Sequence, residues 1–383
     1  MVFTRTIDLA CRSASAFLFG PRMTGKTTLL RTLKHAEYFD LLDPAKAMEY
    51  RLRPALFWEE LSALPDRCFV IVDEIQHLPE LLNYVQMGID RKNLRFLLSG
   101  SSARKLRRGG ANLLGGRALD LRLHALTADE IGSRFSLDDA LHCGTLPKIS
   151  TLLLEKNLDE ARMYLKSYVS IYIREEIQAE ALTRNIGSFT RFLAVAGQSN
   201  AQVIEFQNIS RDSMVPASTV KEYYQILEDT HLGNFLWPLG ASERKKARPK
   251  FYFFDCGVVR AIQNRLHDPA TAGERGFLFE TWLVNELVRF RDYAGMPHEF
   301  CFWRDRTHEI DIVVCKNNKP VLAIECKTGN AAPHMPSIAA FSARFPKVPV
   351  IVVVDSAERT RKVGEIEVCS WQKAIGHFAA LVK

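Results

Sequence analysis

Short apolar runs and longer amphipathic stretches alternate over the first third of the chain. SAFLFG (15–20), EYFDLLD (37–43), CFVIVD (68–73), LRFLLS (94–99) and ALDLRLHAL (118–126) are compact runs of strand length. Between them lie KTTLLRTLKHA and ALFWEELSAL, which read as helices. This order predicts a parallel sheet covered on both faces, the α/β class. Residues 127–182 lose the strand signal, and TLLLEKNLDEARMYLKSYVSIYIREEIQAEAL reads as helical. Short helices with turns continue to FLWPL, followed by the basic segment ASERKKARPK (241–250) and the strand FYFFD (251–255). DPATAGERG (268–276) has the composition of a linker. Residues 277–290 form a strongly apolar helix, after which CFWR, EIDIVVC, PVLAIECK and VPVIVVVD return to strand patterning. The pattern divides the chain into segments 1–126, 127–184, 185–267 and 268–383, without internal repeats.

Composition changes this picture little. The 383 residues allow two to four domains, and 47% apolar with 25% charged residues is ordinary for a soluble globular chain. The net charge of +7 is modest, so its distribution matters more than its sum. None of the 8 Cys are spaced as CxxC, and the 10 His show no pair at zinc-ligand spacing. These spacings give no sign of a disulfide framework or of a Cys/His zinc motif, and most of the Cys are expected to be small core residues. The N-terminus lacks a signal peptide's apolar stretch, and no run approaches the ~18–20 apolar residues that span a bilayer. The expected setting is the reducing cytoplasm, away from membranes.

Gly20-Pro21-Arg22-Met23-Thr24-Gly25-Lys26-Thr27 fits GxxxxGK[ST] at every defined position, following a predicted strand and opening a predicted helix, and with Thr28 makes up the candidate nucleotide-binding set. Glycines let backbone N–H groups turn toward phosphate oxygens, and the helix N-terminus adds positive potential. Lys26 is the candidate for the β- and γ-phosphates, and the Thr27 hydroxyl for Mg²⁺. CFVIVDEIQHLP ends a buried strand in Asp73-Glu74. An Asp at that place holds the Mg²⁺ shell in P-loop enzymes, and the adjacent Glu is placed to polarise water. Ser99, at the end of the next strand, is placed to orient water or sense the γ-phosphate. Arg117 is the leading candidate to stabilise the transferring phosphoryl group, in cis or from a neighbouring subunit of a homo-oligomer. Arg104, Arg107 and Arg108 compete for that role.

GPRMTGKTTL, VIVDEIQHLP, LLSGSSARKL and LLGGRALDLRLHALT together resemble the bacterial and archaeal AAA-type ATPases that carry a C-terminal domain of uncharacterised function, DUF4143. The resemblance implies a P-loop NTPase sheet with an extra strand between the two nucleotide motifs. It also implies ATP as the nucleotide and Glu74 as the base of an ATP hydrolase. A helical lid after 127 and a winged-helix middle region match in outline, notably YVSIYIREEI (168–177) and KFYFFDCGVV (250–259).

Within that middle region, VIEFQNISRD, the turn SMVPAS and TVKEYYQILEDT suggest helix–turn–helix, with Ser218 and Thr219 as candidate caps. Lys221, Tyr223 and Tyr224 are then candidate DNA contacts. Arg244, Lys245, Lys246, Arg248 and Lys250 are candidates to neutralise phosphates from a hairpin tip. Glu222, Glu228 and Asp229 on the second helix argue against deep insertion into a groove.

In the last segment, Glu280 lies inside an apolar helix, Asp311 in EIDIVV, and Glu325 and Lys327 at the end of VLAIECK. Acids inside apolar runs are costly unless paired or bound to metal. Glu280, Asp311 and Glu325 are candidate oxygen ligands for one Mg²⁺. Lys327 is two residues from Glu325 and so on the same strand face. The pattern resembles the PD-(D/E)xK phosphodiesterase superfamily, with Ile310 where the nominal motif has proline. That resemblance implies Asp311, Glu325 and Lys327 as a catalytic core and Glu280 as accessory acid. The leading expectation is an ATP-dependent protein that binds and processes nucleic acid. The rival is an NTPase switch whose C-terminal domain binds protein or DNA without cleavage.

Overall fold

The structure, a computed structural model, describes residues 2–9, 14–101, 104, 106, 114–173, 186–240, 247–329 and 332–381. It divides into two units: residues 1–126 with 229–232, and residues 127–228 with 233–383.

The first unit is built on β1 (Ser15–Phe19), β2 (Glu37–Asp40), β3 (Phe69–Asp73), β4 (Arg95–Gly100) and β5 (Ala118–Arg122). All neighbours pair in parallel, in the order β2-β3-β4-β1-β5. Each strand falls on one of the apolar runs, β4 ending one residue past its run at Gly100, because a parallel sheet covered on both faces favours continuous rather than alternating hydrophobicity. Leu18, Val70, Val72 and Leu98 are fully buried. Each such side chain contributes about 1.5–3 kcal/mol through burial. β4 lies between β1 and β3, as the resemblance implied. Register pairs Leu18 with Ser99 and Val72 with Leu98, so the carboxyl ends of β1, β4 and β3 stand side by side. In an open α/β sheet that edge, near a reversal of strand order, is where ligands bind.

The helix after β1 is shorter than its amphipathic pattern predicts, covering Lys26–Leu30. The N–H groups of Thr32 and Leu33 bond carbonyls three residues back, a tightening that ends helices. Ala36 can then donate to Phe69 and lead into β2 (2.8 Å).

The second unit holds an eight-stranded sheet. Its strands are β6 (Gly233–Pro238), β7 (Lys250–Phe253), β8 (His298–Arg304), β9 (Glu309–Lys316), β10 (Lys319–Lys327), β11 (Val350–Val354), β12 (Arg361–Val363) and β13 (Ile366–Cys369). The order is β12-β13-β11-β10-β9-β8-β6-β7. β6 and β7 form an antiparallel pair, and β6 joins β8 in parallel at Trp237 and Cys301. The strands flanking the basic segment are therefore continuous with the C-terminal strands. β9 and β10 are antiparallel, with Ile324 opposite Ile312.

The long apolar helix spans Ala272–Ala294 and starts five residues earlier than its hydrophobicity suggests. The Thr271 side chain caps it by accepting from Glu274 N–H (3.3 Å). The first turn, Ala-Gly-Glu-Arg, carries no large apolar side chain, so only the Thr-x-x-Glu capping pattern could mark it. Ser218 and Thr219 do not cap their helix, which begins at Ala217 and places them in its first turn. Among the described residues, no helix is long and apolar enough to cross a membrane.

Candidate functional site

The loop after β1 is shaped by two glycines. Gly25 is left-handed at φ 90°, and a Cβ on Gly20 would lie 2.2 Å from the Leu123 carbonyl oxygen. Larger residues would strain the first position and clash at the second. The Thr24 hydroxyl donates to Pro21 O (2.9 Å), and Lys26 Nζ donates to Gly20 O (2.8 Å) and Pro21 O (3.2 Å). The lysine thus lies folded over the loop, 6% exposed. Arg22 and Thr28 are exposed, and Met23 is half-buried with a left-handed backbone.

Asp73, wholly buried, ends β3. One carboxylate oxygen accepts from the Thr27 hydroxyl (2.8 Å) and from the Tyr38 hydroxyl (2.7 Å). The other accepts from the Ser99 hydroxyl. Burial, then the bond to Asp73, raises the Tyr38 phenol well above its ordinary range and keeps it a donor. Glu74 follows in the left-handed region (φ 60°, ψ 47°). Its N–H donates to Ser99 Oγ (2.9 Å), and the Gln76 amide donates to its carboxylate. The donor set suits Mg²⁺: a hydroxyl and a carboxylate already touch at a phosphate-type loop, and oxygen ligands fit that hard cation. Strand order brings Gly20–Thr27, Asp73, Glu74 and Ser99 together.

The second unit gathers the other acids. Lys250 Nζ lies 2.8 Å from Glu280 Oε1, 2.7 Å from Glu309 Oε1 and 3.9 Å from Asp311 Oδ1. Tyr252 OH also donates to Glu280 Oε1. Asp311 accepts from Cys326 N–H (2.8 Å), and Lys327 Nζ donates to Glu325 Oε1 (2.6 Å). Burial pushes the carboxyls of Glu280 and Glu325 up to about 7, against the pull of Lys250 and Lys327 respectively. Burial opposes the charge on Lys250, but Tyr252 and the carboxylates of Glu280, Asp311 and Glu309 outweigh it and raise the ammonium well above the usual lysine range. Lys250 is only 3% exposed. Its expected role as a phosphate contact is therefore corrected: a cation this buried, with its donors on carboxylates, presents nothing to a polyanion. The acids do not fit Mg²⁺ as they stand, because an ammonium fills the space between Glu280 and Asp311. Among the described residues, no three His, Cys, Asp or Glu side chains are grouped to hold a metal.

Residues 12–132 match the family of AAA domains, residues 134–268 a domain of unknown function (DUF8612), and residues 275–374 a domain of unknown function (DUF4143). The chain joins an AAA domain to a DUF4143 domain. No curated protein matches it. Among solved structures, a replication initiator DnaA bound to AMPPCP and single-stranded DNA is 15% identical, covering 58% of this chain and 84% of that one at a TM-score of 0.29. Can2 from Sulfobacillus thermosulfidooxidans, in complex with cyclic tetra-adenylate, is 14% identical, covering 94% and 99% at 0.20. Neither likeness bears on function. The match over 12–132, with the P-loop and Asp73 in their sheet positions, makes the first unit a nucleotide-binding AAA NTPase.

The remaining candidates scatter. In the AAA unit Arg117 is tied to Asp90 (2.8 Å) and, among the described residues, makes no ion pair with the P-loop. Arg104 pairs with Asp229 (2.8 Å). Arg107, Arg108, Arg244, Lys245 and Lys246 lie outside the described residues. Tyr223 and Tyr224 are 2% and 0% exposed and pack edge-on against Phe189 and Phe192, so they are core and not DNA contacts. Lys221 is exposed, its ammonium 5.3 Å from the Phe206 ring, and Arg248 pairs with Glu205.

Sequence reading missed Tyr38, Gln76 and the true place of Lys250. Lys250 carried a usable signal, since a lysine opening the aromatic run FYFF raises the same burial question as an acid in an apolar helix.

Proposed function

We propose that this AAA protein binds Mg²⁺-ATP on residues 20–27, hydrolyses it with Glu74 as general base, and uses the cycle to switch its hold on nucleic acid without cutting it. The observation that carries the reading is the Thr27–Asp73 contact at adjoining strand ends, with Ser99 completing the set. When bound, Mg²⁺ supplies charge neutralisation at the β- and γ-phosphate oxygens. Lys26 leaves the carbonyls of Gly20 and Pro21 for the phosphates, and the loop N–H groups cradle them. The Thr27 hydroxyl, which donates its hydrogen bond to Asp73, would offer its oxygen to the metal, with Asp73 beside it in the shell. Glu74 takes the proton of the attacking water once Gln76 releases it, and Ser99 holds Asp73 and the Glu74 backbone in register.

Lys26→Ala is expected to remove measurable nucleotide binding by calorimetry. Glu74→Gln should bind ATP nearly as wild type while turnover falls about 10²–10⁴-fold. Turnover near the wild-type rate would remove Glu74 as the base.

Exposed Lys221 and the basic residues of 244–248 support nucleic acid as the polyanionic partner. The non-cleaving form of the reading is favoured by Lys250, whose ammonium bonds Glu280 and lies 3.9 Å from Asp311, in the space a metal between them would take. Mg²⁺-dependent nicking of supercoiled plasmid, lost in Asp311→Asn, would replace it with the nuclease reading.

A further inference from the structure

Strand β7 delivers Lys250 into the carboxylate cluster of the DUF4143 domain from a position far from the acids in sequence. Its ammonium sits at charge-assisted hydrogen-bond distance from two carboxylates on different elements, Glu280 on the 272–294 helix and Glu309 at the start of β9. Asp311, two residues along β9, lies at the edge of the same ammonium (3.9 Å). Arg304 approaches the second oxygen of Glu309 (3.7 Å), and Lys327 binds Glu325 (2.6 Å). Four carboxylates therefore meet three cations of the chain itself. A divalent ion reaching Glu280 and Asp311 would have to occupy the space of the ammonium, with oxygens at the ~2.0–2.2 Å that small hard cations require. Two cations cannot share it, because their repulsion in a buried site is weakly screened.

We propose that Lys250 is the resident cation of this cluster, closing it to divalent metal, and that removing the ammonium opens a site for one hard divalent ion on Glu280, Glu309 and Asp311. Lys250 then acts as a latch, tying β7 to the 272–294 helix and to β9 through charge instead of through a metal. This rests on the non-cleaving reading of the domain and gives it a cause.

The test titrates the full chain, without nucleotide, with Mn²⁺ and counts bound ions by electron paramagnetic resonance. Wild type is expected to show no binding that Asp311→Asn removes. Lys250→Met is expected to gain one ion per chain, and Lys250→Met/Asp311→Asn to lose it. Lys250→Gln, which keeps a polar group, carries the same expectation if the methionine variant does not stay folded. A folded Lys250 variant with no gained ion overturns the proposal. So does an Asp311-dependent Mn²⁺ site in wild type, which needs no Lys250 variant at all. If that wild-type site appears while plasmid stays intact, the proposal alone fails; Asp311-dependent nicking overturns the non-cleaving reading as well.

Discussion

Asp73 in the AAA unit and Glu280 in the DUF4143 domain are both buried carboxylates, 0% and 7% exposed, and both accept hydrogen bonds from side chains on other elements. Their partners differ in kind. Asp73 meets three hydroxyls, from Thr27, Tyr38 and Ser99. Glu280 meets an ammonium and a phenol, from Lys250 and Tyr252. Hydroxyl dipoles solvate a carboxylate without cancelling its charge, so the first site keeps its attraction for a cation arriving with a triphosphate. An ammonium cancels the charge, so the second is complete without any ligand. Sequence alone marks both as acids in apolar surroundings; only the identity of the neighbours separates a site awaiting a cation from one that has its own.

The largest effect should come from breaking the second arrangement. Lys250→Met leaves Glu280 and Glu309 facing each other without the cation, and removing one partner of a buried pair costs about 3–5 kcal/mol. Denaturant midpoints should show that loss, and Lys250→Met/Glu280→Gln should recover part of it, since the uncompensated charge is what is costly. A loss below 1 kcal/mol would mean that Lys250 is no more than a surface-type pair and that the contrast with Asp73 fails.

How far this contrast was legible beforehand varies between the units. GxxxxGK[ST] and VIVDE prescribe both local backbone and chemistry within a few residues, so the P-loop, Asp73 and Ser99 could be placed from the chain alone. Glu280, Asp311, Glu325 and Lys327 could be singled out by the same burial argument, and the antiparallel register of β9 and β10 brings the last three together. Lys250 was legible only as a burial question, because it opens FYFF at the end of a basic run while its partners Glu280 and Glu309 come from distant elements. Tyr223 and Tyr224 failed for a related reason: a tyrosine on an amphipathic helix reads equally as a contact or as core, and the aromatic neighbours that decide it come from distant segments.

A middle-sized effect concerns pH. Burial lifts Glu280 from its ordinary 4.5 to about 7. Between those values the folded chain holds a proton that the unfolded chain has released. Stability from this group is therefore full below pH 4.5 and is lost as pH rises through about 7. Glu280→Gln cannot titrate, so its stability should fall less than that of wild type from pH 5 to 7, by the equivalent of up to about one proton, as read by urea denaturation across that range. Parallel profiles would show that Glu280 stays ionised throughout, paired to Lys250 more strongly than its burial resists.

The smallest effect should separate a solvating hydroxyl from a structural one. Tyr38 and Thr27 donate to the same oxygen of Asp73, but only Thr27 is a candidate to offer its own oxygen to the metal when nucleotide arrives. Tyr38→Phe removes one donor and should cost about 1 kcal/mol in the nucleotide-free chain. If a cation then takes over the freed lone pair, the cost shrinks in the bound state, and linkage turns the difference into tighter Mg²⁺-nucleotide binding, up to about fivefold for 1 kcal/mol. If Tyr38 instead aims the Asp73 carboxylate in both states, the affinity weakens or stays the same while stability still falls. Calorimetric titration of Tyr38→Phe with a non-hydrolysable nucleotide distinguishes the two by sign. Weakened binding would mean that the hydroxyls hold Asp73 in place, as Lys250 holds Glu280, and do not keep its charge available.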